Sequence, residues 1–404
     1  MRRVRQLGPR IIVACLLGVL AAVPAGWQSA LAQNPNSAGP TTVEPSLEFD
    51  SRITELIRQL GAPSFGQRQR ATRQLQAIGV TAKPALVQAL QHDDAEIRSR
   101  ARRILLAVLD TDLQRRITAF AADPSDQQAT SLPGWRLFKE TVGTSAVARR
   151  IYLEAVRAEP VLLESIEQTS QTAGTTLTAR AMTLHERYIR NPMYRGIADS
   201  IEAGESSVCA LLLATMNPDV VLDEQIATKI YQLVQHAGLR QHLDAGPRRD
   251  PIRRLVGSFI ETTAELQLAY QTIWLAMHHN LKEGLVPAVS LVERRDRQPY
   301  MLQNALLCVG KLGDRRHLEL VELLLEDESP VDGRIANASR PQICEIALAV
   351  SIHLAGQDPK SFGYSKLQLS TQTLFQASTL AFASDPMREQ ALEKWRIWRA
   401  RHPQ

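Results

Sequence analysis

The sequence predicts an all-α protein: an α-solenoid of stacked antiparallel helix pairs with a less regular helical region in the middle. From Ser51 onward the apolar residues recur every three or four positions, which is the spacing of one helix face. Aromatic residues make up only 5% of the chain, and no long stretch alternates Val, Ile, Thr and Tyr, so an all-β fold is not expected. The third observation is an internal repeat, and repeated units must stack to bury their apolar faces.

The composition bounds the class of protein. The chain has 404 residues, of which 44% are hydrophobic and 22% charged, as in globular proteins of two or three domains. This excludes a disordered, collagen-like or disulfide-scaffold protein. The formal charge of +5 arises largely in residues 1–32, which hold four arginines and no acid. The remaining residues carry 43 basic and 42 acidic side chains, so a nucleic-acid partner has no electrostatic support.

The amino terminus has the three parts of an export signal. Four arginines are followed by an apolar run at 11–23, which is too short to span a bilayer. A helix-breaking stretch comes next, and Ala30-Leu31-Ala32 predicts cleavage before Gln33. The signal resembles a bacterial one. We therefore expect residues 1–32 to be removed and the protein to reach the periplasm, the cell envelope or the extracellular space.

Two other interpretations of this segment are open. Residues 12–15 look like a lipobox, although most of the apolar run follows Cys15 rather than preceding it. Arg2-Arg3 could begin a twin-arginine signal, although its flanking residues do not match one.

No later segment is apolar over the length of a transmembrane helix, so we expect no integral membrane span after cleavage. Residues 33–50 are rich in Pro, Ser, Thr and Asn and are predicted to form a flexible leader.

The internal repeat relates the segment that begins at Leu56 to the segment that begins at Leu86. Eight of the residues from Leu56 to Ala77 are identical to the residue at the same place in the second segment, far more than chance would give. Those residues are Leu56, Leu60, Arg68, Arg70, Ala71, Arg73, Leu75 and Ala77, which return as Leu86, Leu90, Arg98, Arg100, Ala101, Arg103, Leu105 and Ala107. Each unit is interpreted as a helix pair that needs a neighbour to cover its apolar side.

These residues resemble HEAT repeats in the compact form common in bacteria. Pro84-Ala85-Leu86, Asp93-Asp94 and Glu96-Ile97-Arg98 fit that pattern, although the period is shorter than the about 40–47 residues typical of the class. The pattern returns at 305–324, where we expect Gly313 to end one helix and Asp314 to start the turn into the next. The resemblance implies a helical-repeat fold and says little about activity.

The carboxy-terminal part adds to this resemblance. Residues 342–355 would supply the partner helix of the second repeat block. Exported bacterial HEAT-repeat proteins of unknown function resemble this chain at 353–364 and in its Trp-x-x-Trp end. Trp395 and Trp398 would then form an aromatic lid on the last repeat, together with Met387 and Ala391 on the same helix face; a ligand-stacking platform is the alternative.

The order of these features predicts the domain organisation. Between the two repeat blocks the helices show no visible period. Asp250-Pro251 and Asp385-Pro386 each predict a helix start, with the aspartate as the cap. The predicted segments are a signal peptide (1–32), a leader (33–50), amino-terminal repeats (51–115), a helical middle region (116–265), carboxy-terminal repeats (266–360) and an extension with a capping helix (361–404).

Three cysteines remain after the predicted cleavage, namely Cys209, Cys308 and Cys344. An odd number in an exported protein excludes a fully paired disulfide framework. Each cysteine lies alone in an apolar stretch, so we expect small buried hydrophobic residues. A bridge between Cys308 and Cys344, on neighbouring helices, is the alternative.

No motif for catalysis or for a cofactor is present. The sequence has no GxSxG, GxGxxG, phosphate-binding loop, HExxH or CxxCH motif, and its thiols are too far apart for a cysteine-based zinc site. His278, His279 and Glu283 are interpreted as an exposed polar edge rather than as metal ligands. His185-Glu186 resembles one unit of the metal-dependent HEAT hydroxylases, but those enzymes need several copies. We therefore expect neither a cofactor nor a metal, and no enzymatic activity.

The arginines of the amino-terminal repeats are the candidate binding residues. Because equivalent positions line up in stacked repeats, Arg70, Arg73, Arg100 and Arg103 are expected to form one patch that docks an acidic partner. Arg68 and Arg98 would lie nearer the turns. The alternative is that the arginines pair with the turn acids Asp93 and Asp94 and are otherwise solvated.

The sequence therefore favours a non-catalytic exported scaffold whose grooves hold another protein of the cell envelope. Two alternatives remain. One is an accessory lyase or other enzyme with a pocket in the middle helices, residues 116–265, where titratable groups would have to converge. The other is a purely structural component of the envelope.

Overall fold

The structure, a computed structural model, describes residues 45–123, 132–190, 198–236, 238–295, 298–331 and 340–402. Within these ranges nearly all regular structure is helical, and the sheet they contain is a single hairpin of two short strands. The all-α prediction is therefore confirmed. The chain divides into two compact units, one ending at Leu132 and the other beginning at Pro133. The predicted signal peptide, the lipobox and most of the predicted leader lie outside the described residues.

The amino-terminal unit consists of two helix pairs. Its helices are α1 (Pro45–Gln59), α2 (Phe65–Ile78), α3 (Lys83–Ala89) and α4 (Ala95–Ala122). Helix α1 packs against α2 and α3, and α4 packs against α2 and α3. Two predicted boundaries change. Helix α1 already begins at Pro45, inside the predicted leader, because proline is tolerated in the first helical turn. Helix α4 continues past the predicted boundary at residue 115.

The core of this unit contains the apolar positions of the internal repeat. Leu75 and its equivalent Leu105 are both buried, as are Leu60 and Leu90. The start of α4 is capped by Asp94, whose carboxylate accepts hydrogen bonds from the backbone N–H of Glu96 at 2.7 Å and of Ile97 at 3.4 Å. The repeat therefore places equivalent leucines in one shared core.

The carboxy-terminal unit holds the remaining helices and the hairpin. The helices are α5 (Trp135–Thr141), α6 (Ala146–Ala158), α7 (Pro160–Ile166), α8 (Ser170–His185), α9 (Ala198–Thr215), α10 (Glu224–His236), α11 (Arg249–Thr262), α12 (Ala269–His279), α13 (Leu285–Glu293), α14 (Pro299–Leu312), α15 (Leu318–Glu322), α16 (Ile343–Leu354) and α17 (Asp385–Arg401). Strands β1 (Leu369–Ser370) and β2 (Leu374–Phe375) pair antiparallel, with Leu369 opposite Phe375.

Several of the longer helices of this unit pack against two or more others. Helix α9 packs against α6 and α11, and α8 packs against α7 and α10. Farther along the chain, α14 packs against α12, α13 and α16, and α15 packs against α16. The buried apolar residues of α12 to α17 form one continuous cluster.

The junction after α14 was predicted correctly. The helix ends at Leu312, and Gly313 follows it. A Cβ at Gly313 would lie 2.4 Å from the carbonyl oxygen of Val309, so only glycine fits there. Asp314 caps the next turn: its carboxylate accepts from the backbone N–H of Arg316 at 3.0 Å, and its own N–H donates to His317 Nδ1 at 3.2 Å.

The two predicted aspartate caps are wrong. Helix α11 begins at Arg249, so that Asp250 and Pro251 lie inside its first turn. Helix α17 begins at Asp385, and its cap position is occupied by Ser384. Proline fits anywhere in the first turn, because none of those N–H groups has a partner within the helix. Proline therefore marks the start of each helix but not the capping residue.

The last helix, α17, covers the core with its aromatic residues. Trp395 is buried, its indole N–H donates to Glu322 Oε1 at 3.1 Å, and Trp398 stacks on it at 5.1 Å between ring centroids. Arg399 Nε also donates to Glu322 Oε1, at 3.1 Å. Met387 is 46% exposed, so the predicted apolar face begins only at Ala391. Trp395 therefore covers the core and Trp398 stacks on it, whereas the assignment of the covered helices to a last repeat stays a prediction.

The three described cysteines are free and buried. The alternative of a bridge between Cys308 and Cys344 is therefore wrong. Burial raises the pKa of the Cys308 and Cys344 thiols to about 12, so both stay protonated at neutral pH.

We predict that a charge at either repeat-equivalent leucine of the amino-terminal unit unfolds it. Leu75→Asp and Leu105→Asp should each cost several kcal/mol, about the penalty of burying an unpaired carboxylate in a packed core. Chemical denaturation followed by circular dichroism measures the loss. Gln76→Asp is the control, because Gln76 is exposed beside Leu75. Equal stability of the leucine variants and the control would contradict the repeat assignment.

Candidate functional site

Two arginines of the repeat, Arg68 and Arg98, bind the turns that precede their helices. Arg68 Nη1 donates to the carbonyl oxygens of Ala62 and Pro63, both at 2.8 Å. In the next repeat, Arg98 Nη1 donates to the carbonyl oxygens of His92 at 2.6 Å and Asp93 at 2.7 Å. From the first unit to the second, the arginine that donates and the two carbonyl groups that accept all move along the chain by one repeat length. Each guanidinium satisfies carbonyl groups that have no partner in a helix.

The alternative, in which the arginines pair with the carboxylates of Asp93 and Asp94, is wrong for the described residues. Asp94 uses its carboxylate to cap α4, and Asp93 contributes its backbone carbonyl. The acid that does pair is Glu96, whose Oε1 lies 2.6 Å from Arg100 Nε and 3.5 Å from Arg68 Nε. The Arg100 side chain is only 12% exposed, so it is held against the unit and is not open to a partner.

The other three candidate arginines are open to solvent. Arg70, Arg73 and Arg103 are exposed, and none of them forms an ion pair or a side-chain hydrogen bond within the described part of the chain. Arg70 and Arg73 lie one turn apart on α2, and Arg103 is the repeat equivalent of Arg73 on α4. Whether these arginines dock a partner stays a prediction.

Arg70 also lines an open groove of about 850 Å³ in the amino-terminal unit. Arg58, Gln59, His92 and Asp94 are among the other lining residues. Arg58 is held in place by Glu55, with Nε donating to Oε2 at 2.7 Å and Nη2 to Oε1 at 2.6 Å. These hydrogen bonds lower the pKa of Glu55 to about 2. Arg70 is therefore the side chain of this groove best suited to hold an anionic group.

The sequence analysis did not predict a charged cluster in the middle region. The guanidinium of Arg248 donates to the carboxylates of Glu154 on α6 and Glu205 on α9, and His242 Nε2 lies 3.5 Å from Glu205 Oε2. The two glutamates are 94 and 43 positions from Arg248 in the chain, so no local pattern could reveal them. Glu205 is buried and Arg248 is partly exposed.

A second buried carboxylate, Glu159, lies on the chain immediately after α6. Its oxygens accept hydrogen bonds from Arg180 Nε at 2.5 Å, from Arg180 Nη2 at 2.7 Å and from Ser207 Oγ at 2.6 Å. A buried carboxylate is stable only when it is paired in this way. Both carboxylate clusters therefore act as braces between helices, because their lone pairs are taken up by guanidinium groups.

The histidines that the sequence analysis considered lie in different surroundings. His279 is buried, with Nδ1 2.8 Å from Asp244 Oδ1, so its assignment to an exposed edge is wrong. His278 is exposed as expected. His185 is buried, and its Nε2 lies 2.6 Å from Gln232 Oε1. Among the described residues no group of three or more His, Cys, Asp or Glu side chains is placed to hold a metal ion.

Comparison with models of known protein families finds no match. Comparison with curated proteins finds no match either. Of the helices in the described ranges, none is long and apolar enough to cross a membrane.

We predict that the two groups of arginines differ in their effect on stability. Arg68→Gln and Arg98→Gln should each destabilise the unit by about 1 kcal/mol, since each removes two charge-assisted hydrogen bonds to turn carbonyls. Arg103→Gln is the matched control and should change the free energy of unfolding little, because this exposed side chain has no partner among the described residues. Denaturant titration of the three variants measures the difference. If the Arg103→Gln variant were destabilised to the same extent, the distinction between arginines that stabilise the fold and arginines that do not would be refuted.

We also predict that acid weakens the fold through His279 and His353. Burial lowers the pKa of His279 despite its bond to Asp244, and partial desolvation of the ring lowers the pKa of His353, although that residue is exposed. Below the ordinary histidine pKa of about 6.5 the unfolded chain therefore binds more protons, so stability should fall from pH 7 to pH 5. Thermal melts followed by circular dichroism should show a smaller fall for His279→Gln/His353→Gln. An unaltered pH dependence in the double variant would contradict the prediction.

Proposed function

We propose that this chain is an exported, non-catalytic α-solenoid scaffold of the HEAT type, which binds an acidic protein partner in the cell envelope. The observation that carries the proposal is the division of the arginines in the internal repeat. Arg68, Arg98 and Arg100 are engaged in the unit's own structure, whereas Arg70, Arg73 and Arg103 are exposed and have no partner among the described residues.

The solenoid arrangement is supported by the packing of helix pairs within each unit. In the amino-terminal unit α1 packs on α3 and α2 packs on α4, as expected when one pair stacks on the next. In the carboxy-terminal unit α12, α14 and α16 pack in succession, while α13 packs on α14 and α15 on α16. Stacking of this kind offers extended surfaces to a partner.

The acidic character of the partner rests on charge. Residues 45–123 contain twelve basic and nine acidic side chains, whereas the chain after residue 32 is nearly neutral. An exposed guanidinium pairs best with a carboxylate or phosphate, and complementary charge also speeds the encounter. The surface of the first unit is therefore better suited to an acidic partner than the chain as a whole.

The envelope location rests on the predicted signal at residues 1–32, with cleavage before Gln33. The non-catalytic role is supported by the middle region. Three of its carboxylates, those of Glu154, Glu159 and Glu205, are already engaged by guanidinium groups. They brace the helices and leave no free carboxylate at these positions for acid–base chemistry.

We predict that removing the three open arginines weakens partner binding without unfolding the protein. A pull-down from envelope extract with the chain starting at Gln33 identifies the partner, and calorimetry then compares the variants. The triple variant Arg70→Gln/Arg73→Gln/Arg103→Gln should bind at least tenfold more weakly. Added salt should weaken binding by the unchanged protein, because exposed charges are screened over about 8–10 Å. Arg100 is left in place, since it is paired with Glu96.

The matched control removes the same amount of charge elsewhere. Arg249→Gln/Arg316→Gln/Arg396→Gln alters three exposed arginines of the carboxy-terminal unit and should bind normally. Full affinity of the Arg70/Arg73/Arg103 variant would refute the docking role. So would an equal loss in the control, because binding would then depend only on net charge.

A further inference from the structure

The open groove of the amino-terminal unit is lined by a row of amide side chains around one arginine. Gln67, Arg70 and Gln74 lie three and four positions apart on α2, so they share one face of that helix. All three are exposed, and their side chains form no hydrogen bond or ion pair within the described ranges. Their donors and acceptors are therefore open to a ligand in the groove.

Other residues of the lining add both a donor and acceptors. His92 Nδ1 accepts the backbone N–H of Asp94 at 3.0 Å, so the neutral ring carries its proton on Nε2, which can donate. Asp94 caps α4 through Oδ1, and its Oδ2 has no hydrogen bond in the described part of the chain. Gln59 Nε2 donates to Glu55 Oε1 at 2.8 Å, which leaves the carbonyl oxygen of Gln59 as an acceptor.

This mixture of groups matches the backbone of an extended peptide. Every peptide group other than that of proline carries one N–H donor and one C=O acceptor, and a glutamine carboxamide carries both kinds of group. A polyphosphate offers acceptors almost alone, and the carboxylate of Asp94 would repel it. The row from Gln67 to Gln74 is about 10 Å long at about 1.5 Å per residue, which is the length of about three extended residues.

We propose that this groove binds a short extended segment of the acidic partner, with an Asp or Glu side chain on Arg70 and the neighbouring peptide groups on Gln67 and Gln74. The inference rests on the proposed function, because it names the part of the partner that the groove recognises. A guanidinium holds a carboxylate through two parallel hydrogen bonds, which fixes the register of the segment. Arg58, the other arginine of the lining, is already paired with Glu55 and does not compete for the carboxylate.

An array of synthetic pentapeptides tests the inference without the partner. Each peptide carries a central glutamate between varied residues, and a matched array carries glutamine at the centre. The purified chain starting at Gln33 should bind peptides of the first array. By fluorescence anisotropy, the tightest of them should bind at least tenfold more weakly when glutamine replaces its glutamate. N-methylation of the peptide groups beside the glutamate removes their N–H donors and should weaken binding to a similar extent, whereas tripolyphosphate should not displace the peptide.

Variants of the groove separate recognition of the carboxylate from recognition of the backbone. Arg70→Gln should remove the preference for glutamate over glutamine at the centre of the peptide. Gln67→Ala/Gln74→Ala should weaken both peptides by the same factor, at least tenfold, because the amides contact the backbone. Gln76→Ala is the matched control and should bind normally, since Gln76 is exposed on α2 and is not among the lining residues.

The inference is overturned if no peptide of the array binds or if N-methylation leaves the affinity unchanged. It is also overturned if tripolyphosphate displaces the peptide, if the Gln67/Gln74 variant binds normally, or if the Gln76 control loses binding equally. The proposed function is tested separately, because the pull-down with the triple arginine variant uses no peptide. If that pull-down shows a partner that needs the arginines while the array stays empty, the groove proposal fails and the scaffold proposal stands.

Discussion

The helices in the described part of the chain bury their apolar residues only where neighbouring helices cover them. In the amino-terminal unit the stripe of Leu75 is covered by helices of both pairs, so neither pair can bury its core alone. In the carboxy-terminal unit the same requirement links α12 to α17 in one apolar cluster. The turns, caps and charged groups are arranged around these contacts, and their roles follow from where each lies relative to the core.

The polar side chains of the repeat have two roles, and the position of each side chain relative to the core determines which role it has. Arg68 and Arg98 lie where a helix follows a tight turn, and their guanidinium groups satisfy the carbonyls that the turn leaves without partners. Asp94 satisfies the N–H groups at the start of α4 in the same way. Arg70 and Arg103 lie on the solvent side, where no backbone group needs them. The arginines of the repeat therefore either stabilise the fold or remain exposed on the surface, and the side of the helix on which each lies decides which.

The charged groups of the middle region follow a different rule. Glu154 on α6 and Glu205 on α9 share one guanidinium, that of Arg248, whereas Glu159, which follows α6, is paired with Arg180 on α8. Buried ion pairs of this kind contribute little net stability, but losing one partner leaves an uncompensated charge in the core. These braces therefore restrict which helices can lie side by side, in a region where the apolar residues show no repeat.

The sequence alone determined the helical class, the period of the internal repeat and the glycine junction at Gly313, because these depend on local spacing and on backbone conformation. It also indicated that the cysteines would be buried, since each lies in an apolar helical stretch. Only the tertiary structure decided which arginines are free, that Arg100 pairs with Glu96, and that His279 is buried against Asp244. The reason is physical: exposure and pairing depend on neighbours brought together by folding, and a helical period gives the direction of a side chain without giving what it meets.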